Sequence, residues 1–263
     1  MALAVANTFW NGPSLGPIHS ACLRSFLSNG HTVRLFAYTA PADVPPGVEV
    51  LPASEILPWS RVSWFVENGH IELASDLFRY HLLAASAGLW VDADCFSVNP
   101  IEDDDYIFGQ ETVSGLNSAV LKLPSASPVL RALCSIDRDF IPPWESRRRQ
   151  RNAQWRRMLG RPRGLERWPW GTIGPTALTY YAKEFGILDL AEPSDVFYPV
   201  HWDHLDRLVD VGLHLSDLTT PRTKVVHLYT SLMRRRYRLG EPPVTSPLGH
   251  ILSLSRPMEL IAG

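Results

Sequence analysis

The chain has 263 residues, 45% of them hydrophobic, with 25 Lys and Arg against 27 Asp and Glu and a formal net charge of -2. That length and apolar content suffice to bury a large core as one domain, residues 1-263, with a helical arginine-rich insertion expected around 141-168. The near-balanced charge argues against a nucleic-acid partner, which would ask for a basic face interleaved with aromatic platforms.

No run of about 18 apolar residues occurs, so a transmembrane helix is not expected. The opening residues Met1 to Ala6 carry no basic leader and run into the first predicted strand, so a signal peptide is not expected either. The three cysteines, Cys22, Cys95 and Cys134, are odd in number and lack metal-ligand spacing. Reduced thiols in a cytoplasmic protein are the simplest account.

In chain order, 2–9 and 32–38 read as strands around a helix over 15–27, whose Leu15, Ile18, Cys22 and Phe26 fall on one stripe. A βαβ opening implies a parallel sheet and an α/β class. There is no GxGxxG and no P-loop, so phosphates are not expected on a glycine loop. Residues 41–58, with five prolines, read as a connection holding one short strand over 48–51. From Ile71 to Ala85 the apolar residues Ile71, Ala74, Phe78, Leu82 and Ala85 recur at three and four, the period of a helix facing a core. Asp76, Arg79 and Tyr80 lie on another face; as a solvated pair, Asp76 and Arg79 would contribute roughly 0.2–0.5 kcal/mol.

Gly88 is placed as the C-cap of that helix, and Leu89-Trp90-Val91 is short and wholly apolar, as a strand buried on both faces should be. Asp92-Ala93-Asp94 then puts two carboxylates at the carboxyl end of a buried strand, where open α/β sheets bind ligands. Oxygen-rich clusters suit hard cations such as Mg or Mn, so a metal-held diphosphate is expected there. Residues 106–110 and 118–123 read as further strands and 128–140 as a helix. Arg147 to Arg167 holds nine arginines around Trp155, within a chain of 22 Arg and three Lys. It reads either as a solvated helix and loop or as a basic face for anionic lipid or an acidic acceptor. Finally, His227 ends the apolar strand Lys224 to Leu228. It is either a core histidine or, as a neutral imidazole, a third ligand for Mn.

The segment Ser75-Asp76, Arg79-Tyr80, Leu83, Gly88, Trp90, Asp92 and Asp94 is similar to the core S-D-x-x-R-(Y/W)-x-x-L-x-x-x-G-G-x-Y-x-D-x-D of DxD glycosyltransferases with the GT-A fold. The resemblance is to the family 32-like group of bacterial capsule and lipopolysaccharide sugar transferases related to the yeast mannosyltransferase Och1. The large clostridial glucosylating toxins share this core. Ala87 departs from it, standing in place of the first glycine. Weaker blocks follow in order: Phe9 to Gly12, Cys22 to Phe26 with Gly30-His31, Gly109 to Glu111, Asn117 to Val120, Thr172 to Thr176 and Val226 to Tyr229.

The resemblance implies a Rossmann-like GT-A domain that moves a sugar from a nucleoside diphosphate, by family habit uridine, to a glycan, lipid-linked or protein acceptor. It implies retention of configuration and a Mn2+ or Mg2+ cofactor, held by Asp92, Asp94 and His227. Asp76 and Arg79 would bind the hydroxyls of the donor sugar, and Asp92 its ribose or the metal. Trp10 would stack on the base, and Tyr80, Asn117 and Ser231 would complete the donor site. Arg234 to Arg236 would lie in a lid over the diphosphate, with Met233 where a tryptophan is frequent. Glu111 is a conceivable base, and no residue presents itself as a nucleophile. The competing readings are a non-catalytic sugar-nucleotide-binding homologue and a haloacid-dehalogenase-type phosphatase, whose motif wants Thr or Val where Phe96 stands. A cytoplasmic location follows, with peripheral membrane association through the arginine-rich segment as an extension.

Overall fold

The structure is a computed structural model and describes residues 2–236 and 242–254. The elements run β1 (Ala6–Trp10), α1 (Gly16–Ser28), β2 (Val33–Ala37), β3 (Glu49–Pro52), α2 (Trp59–Glu67), α3 (Ile71–Ala84), β4 (Leu89–Val91), β5 (Cys95–Ser97), β6 (Ile107–Thr112), β7 (Gly115–Lys122), α4 (Pro128–Cys134), α5 (Arg147–Met158), α6 (Pro175–Glu184), α7 (Ser194–Phe197), β8 (Val225–His227), α8 (Thr230–Arg236) and α9 (Pro247–Ser253). Short 3-10 turns join several of them.

Six strands form the central sheet in the order β3-β2-β1-β4-β7-β6. Pairings from β3 to β4 are parallel, while β7 runs against both β4 and β6. The sheet is therefore mainly parallel with one reversed strand, and the expected α/β class is found. A second, two-stranded sheet pairs β5 antiparallel with β8.

Alternation along the strands sorts side chains to the two faces of the sheet. Phe9, Phe36, Trp90 and Leu121 meet α2, α3, α4 and α6 on one side, while Leu35, Leu89, Val91 and Val120 meet α1 on the other. Burying each such side chain is worth roughly 1.5–3 kcal/mol. The second sheet packs on the outer side of α1, where Cys22, Phe96, Val226 and Leu228 share a smaller cluster with α8 and α9.

Helix α3 lays Ala74, Phe78 and Leu82 on the core as expected, but it buries more than that face. Ile71 is 40% exposed, whereas Asp76, Arg79 and Tyr80 are buried with Leu73, Leu77 and Leu83. The helix is enclosed on nearly every side, so its acid and base are core groups and not a solvated pair. Its end also differs. Ser86, at φ 56°, takes the left-handed position after the C-cap Ala85, with Ser86 N–H donating to Leu83 O and Ala87 N–H to Leu82 O, the paired bonds of a Schellman motif. Gly88 serves another purpose. It has φ 114°, and a Cβ there would lie 2.8 Å from Val5 O, so only glycine lets this loop run against β1. Ala87, flanked by the two left-handed residues and not itself one, needs no glycine. Asn7 fastens the same loop, its Nδ2 donating to Val5 O, Ala87 O and Leu89 O.

Three predicted bounds move by three or more residues. The strand expected over 2–9 begins at Ala6. The helix expected over 128–140 stops at Cys134, and the strand over 118–123 begins at Gly115 as half of a β6–β7 hairpin.

Candidate metal centre and its surroundings

β4 delivers Asp92 at its carboxyl end, and a tight turn brings Asp94 to the start of β5, with Cys95 N–H donating to Asp92 O at 3.0 Å. β8 is paired to β5 so that His227 lies opposite Cys95. The expected trio is thereby assembled: Asp92, Asp94 and His227 each offer a ligand atom, all within 4.8 Å of one another.

Protein donors orient both carboxylates. Asp92 Oδ1 accepts from Arg79 Nη2 at 2.8 Å and from Trp90 Nε1 at 2.7 Å. Asp94 Oδ2 accepts from Thr230 N–H at 2.8 Å and from the Thr230 hydroxyl at 2.9 Å. Asp94 Oδ1 faces His227 Nε2 at 3.2 Å. Neighbouring ligands on an octahedral ion at 2.0–2.1 Å stand about 3 Å apart, so this spacing fits two adjacent positions on one cation. Protein donors that orient the ligand carboxylates are what a metal site requires around it. The donor set, two carboxylates and an imidazole, is one that could hold a divalent cation.

Asp94 and His227 stabilise each other's charge. Burial alone would raise the Asp94 carboxyl, but the charge and hydrogen bond of His227 and the Thr230 N–H outweigh it and hold Asp94 well below the usual range. Burial would lower His227, and the Asp94 charge and hydrogen bond reverse this, leaving the imidazole above its ordinary value. His227 Nδ1 is buried with no hydrogen-bond partner.

Arg79 joins the trio to α3. Its Nη1 pairs with Asp76 Oδ1 at 3.0 Å and also donates to Ser118 Oγ, while Nη2 holds Asp92 and the guanidinium lies 4.9 Å from the Trp90 ring centroid. Asp76 is pushed up to about 7 by burial, against the lowering effect of Arg79, since one guanidinium serves two carboxylates. Gly174 makes room for it, because a Cβ there would sit 2.8 Å from both Asp76 oxygens.

The other expected donor residues lie at varied distances from this centre. Tyr80 is a correction: it is fully buried, and its hydroxyl donates to Ile173 O at 2.6 Å. It fixes the backbone beside Asp76 and presents no surface to a ligand. Asn117 is buried, its Oδ1 accepting from Ala119 N–H and its Nδ2 donating to Glu111 Oε1 at 2.8 Å. That same oxygen accepts from the Tyr229 hydroxyl at 2.7 Å, and the Tyr229 ring lies 3.9 Å from His227. Trp10 is half-buried at the end of β1, its Nε1 donating to Ser14 O at 3.1 Å and its ring 4.5 Å from that of His19. Ser231 is exposed, next to Thr230 at the start of α8. Met233 is buried in the cluster with α9.

Sequence reasoning did not pick out Thr230, and it met Ser118 and Gly174 only inside the weaker blocks Asn117 to Val120 and Thr172 to Thr176, with no role given to either. No local signal marks them, since each acts on a residue far away in the chain. The cysteines are free, and burial raises the Cys22 and Cys95 thiols far above their usual range. They are unsuited to act as nucleophiles. No described helix is long and apolar enough to cross a membrane.

No family model and no curated protein matches the chain. Among solved structures it is similar to one titled PaToxG Glycosyltransferase, at 9% identity and a TM-score of 0.45, over 69% of each chain. That likeness is too distant to carry a functional argument.

Proposed function

We propose that the chain is a metal-dependent glycosyltransferase of GT-A type. It would take a sugar from a nucleoside diphosphate, preferentially uridine diphosphate, to a glycan, lipid-linked or protein acceptor with retention of configuration. One observation carries the reading: Asp92, Asp94 and His227 converge within 4.8 Å at the carboxyl end of β4, with Arg79 tying Asp92 to Asp76. This is a candidate cation site joined to a buried polar pair at the carboxyl end of an inner strand of a mainly parallel sheet, where α/β proteins take ligands.

In this reading Asp92, Asp94 and His227 hold Mn2+ or Mg2+. Such an ion supplies charge neutralisation for the departing diphosphate as a Lewis acid. Asp76 and Arg79 receive the hydroxyls of the donor sugar, with Arg79 the planar donor and Asp76 the acceptor. Trp10 offers its ring to the base, where stacking is worth roughly 1–3 kcal/mol. Asn117 keeps Glu111 in place beside Tyr229 and His227, and Ser231 and the arginines of α8 approach the diphosphate. The likeness of the Ser75 to Asp94 segment to the DxD core supports these assignments.

The test is incubation of the whole chain with nucleoside-diphosphate sugars, with and without Mn2+, following both products. Metal-dependent release of nucleoside diphosphate supports the proposal. Release of inorganic phosphate would mark a phosphatase, and donor binding without release a non-catalytic module.

A further inference from the structure

The arginine-rich helix α5 is almost unattached to the rest of the molecule by side chains, for Ala153 is its one buried residue. At 3.6 residues per turn, the side opposite Ala153 carries Arg147, Arg148, Arg151, Trp155 and Met158. Trp155 is 65% exposed, Met158 83% and the following Leu159 58%. Arg149 is paired with Glu145, but Arg147, Arg148, Arg151, Arg156, Arg157 and Arg161 have no acidic partner among the described residues. No acidic residue occurs between Glu145 and Glu166. Beside the helix, an open groove of about 790 Å³ is lined by Phe140, Ile141, Gln154, Arg157 and Met158, with Asp137 its one acid.

We propose that α5 is a docking surface for an anionic lipid bilayer, lying flat in the headgroup layer. Two features on one face require this partner together. Unpaired arginines seek phosphate oxygens, which a negatively charged leaflet provides in a plane. Trp155, Met158 and Leu159 seek an apolar phase within reach of that plane, and tryptophan is suited to the boundary itself. A nucleic acid would satisfy the arginines alone and offers no apolar phase to Trp155, Met158 and Leu159. The attachment is led by charge, because the helix has too few apolar residues to insert on its own.

The full chain is sedimented with phosphatidylcholine vesicles and with vesicles holding equal parts of phosphatidylglycerol. Binding to the second alone, weakening as salt rises, is expected. The Arg148→Gln/Arg151→Gln double variant should lose about twenty-five-fold in affinity, at about fivefold per arginine. Lipids brominated near the headgroup should quench a share of the fluorescence that vanishes in Trp155→Phe. Failure to sediment with anionic vesicles at low salt overturns the proposal. So does retention of full vesicle affinity by a Trp155→Ser/Met158→Ser variant that binds heparin or transfer RNA equally well, which would mark a general polyanion face. All substituted positions are exposed, and thermal melting confirms that each variant is folded.

Discussion

Arg79 serves three partners through one planar group, reaching Asp76, Asp92 and Ser118 from a buried position. A lysine keeps the charge but not the fork. Arg79→Lys is therefore expected to lower kcat/KM for sugar transfer more than tenfold, and Arg79→Ala to cost about 3–5 kcal/mol by leaving two carboxylates unpaired. Steady-state kinetics alongside urea unfolding separates the effects; lost stability with unchanged kinetics would make the pair purely structural. Asp76 gives a pH signature. Its carboxyl is raised from 3.8 to about 7. Within that window the folded state holds a proton that the unfolded state has released, so stability falls as pH rises, by at most about 1.4 kcal/mol per pH unit. Unfolding of parent and Asp76→Asn from about pH 5 to about pH 8 should show this slope in the parent and not in the variant. Asp94→Asn should cut metal-dependent turnover at least about a hundredfold, the upper range for losing even a supporting partner of a metal ligand. Because Asp94 also holds Thr230 and faces His227, its melting temperature should fall too.

At the scale of elements, the turn from α3 into β4 determines whether the site is built. A Cβ at Gly88 would collide with Val5 O in a left-handed backbone conformation, so Gly88→Ala should cost well over 1 kcal/mol. Gly174→Ala offers a subtler probe: its Cβ would press on Asp76 without removing it. Donor KM should rise while metal affinity, measured by titration, stays near the parent's; an unaltered donor KM would detach Asp76 from the sugar. Much of this region was legible in sequence because its signals are local. The 3.6-residue period gave α3, the apolar triplet gave β4, and the carboxylates had to follow. The burial of Asp76 and Arg79 was not legible, since periodicity cannot reveal that Asp92 after β4, Ser118 of β7 and Gly174 before α6 close over a second face. Nor could Tyr80 be told from a ligand-facing residue when its partner is the carbonyl of Ile173. His227 stood open between core histidine and ligand, and only resemblance to a family favoured the ligand, because nothing near it in the chain announces the β5–β8 pairing.

For the whole molecule, the prediction is linkage between ligand and stability. Mn2+ with a nucleoside diphosphate at about a hundred times its dissociation constant should stabilise the folded state by about 2.7 kcal/mol, raising the melting temperature by roughly 5–10 °C. His227→Ala should abolish the metal-dependent part; an undiminished shift would leave the cation to other ligands. The trio also has an unusual address. Asp92 follows a strand of the large sheet, while Asp94 immediately precedes β5 of the small one and His227 ends its β8, and Thr230 reaches Asp94 across 136 positions of chain. A nascent polypeptide that has made the first sheet but not yet residues 225–230 possesses both carboxylates and no centre. Competence to load a cation therefore waits on β8 and the first residue of α8, and a chain cut before β8 should hold no Mn2+ at this centre.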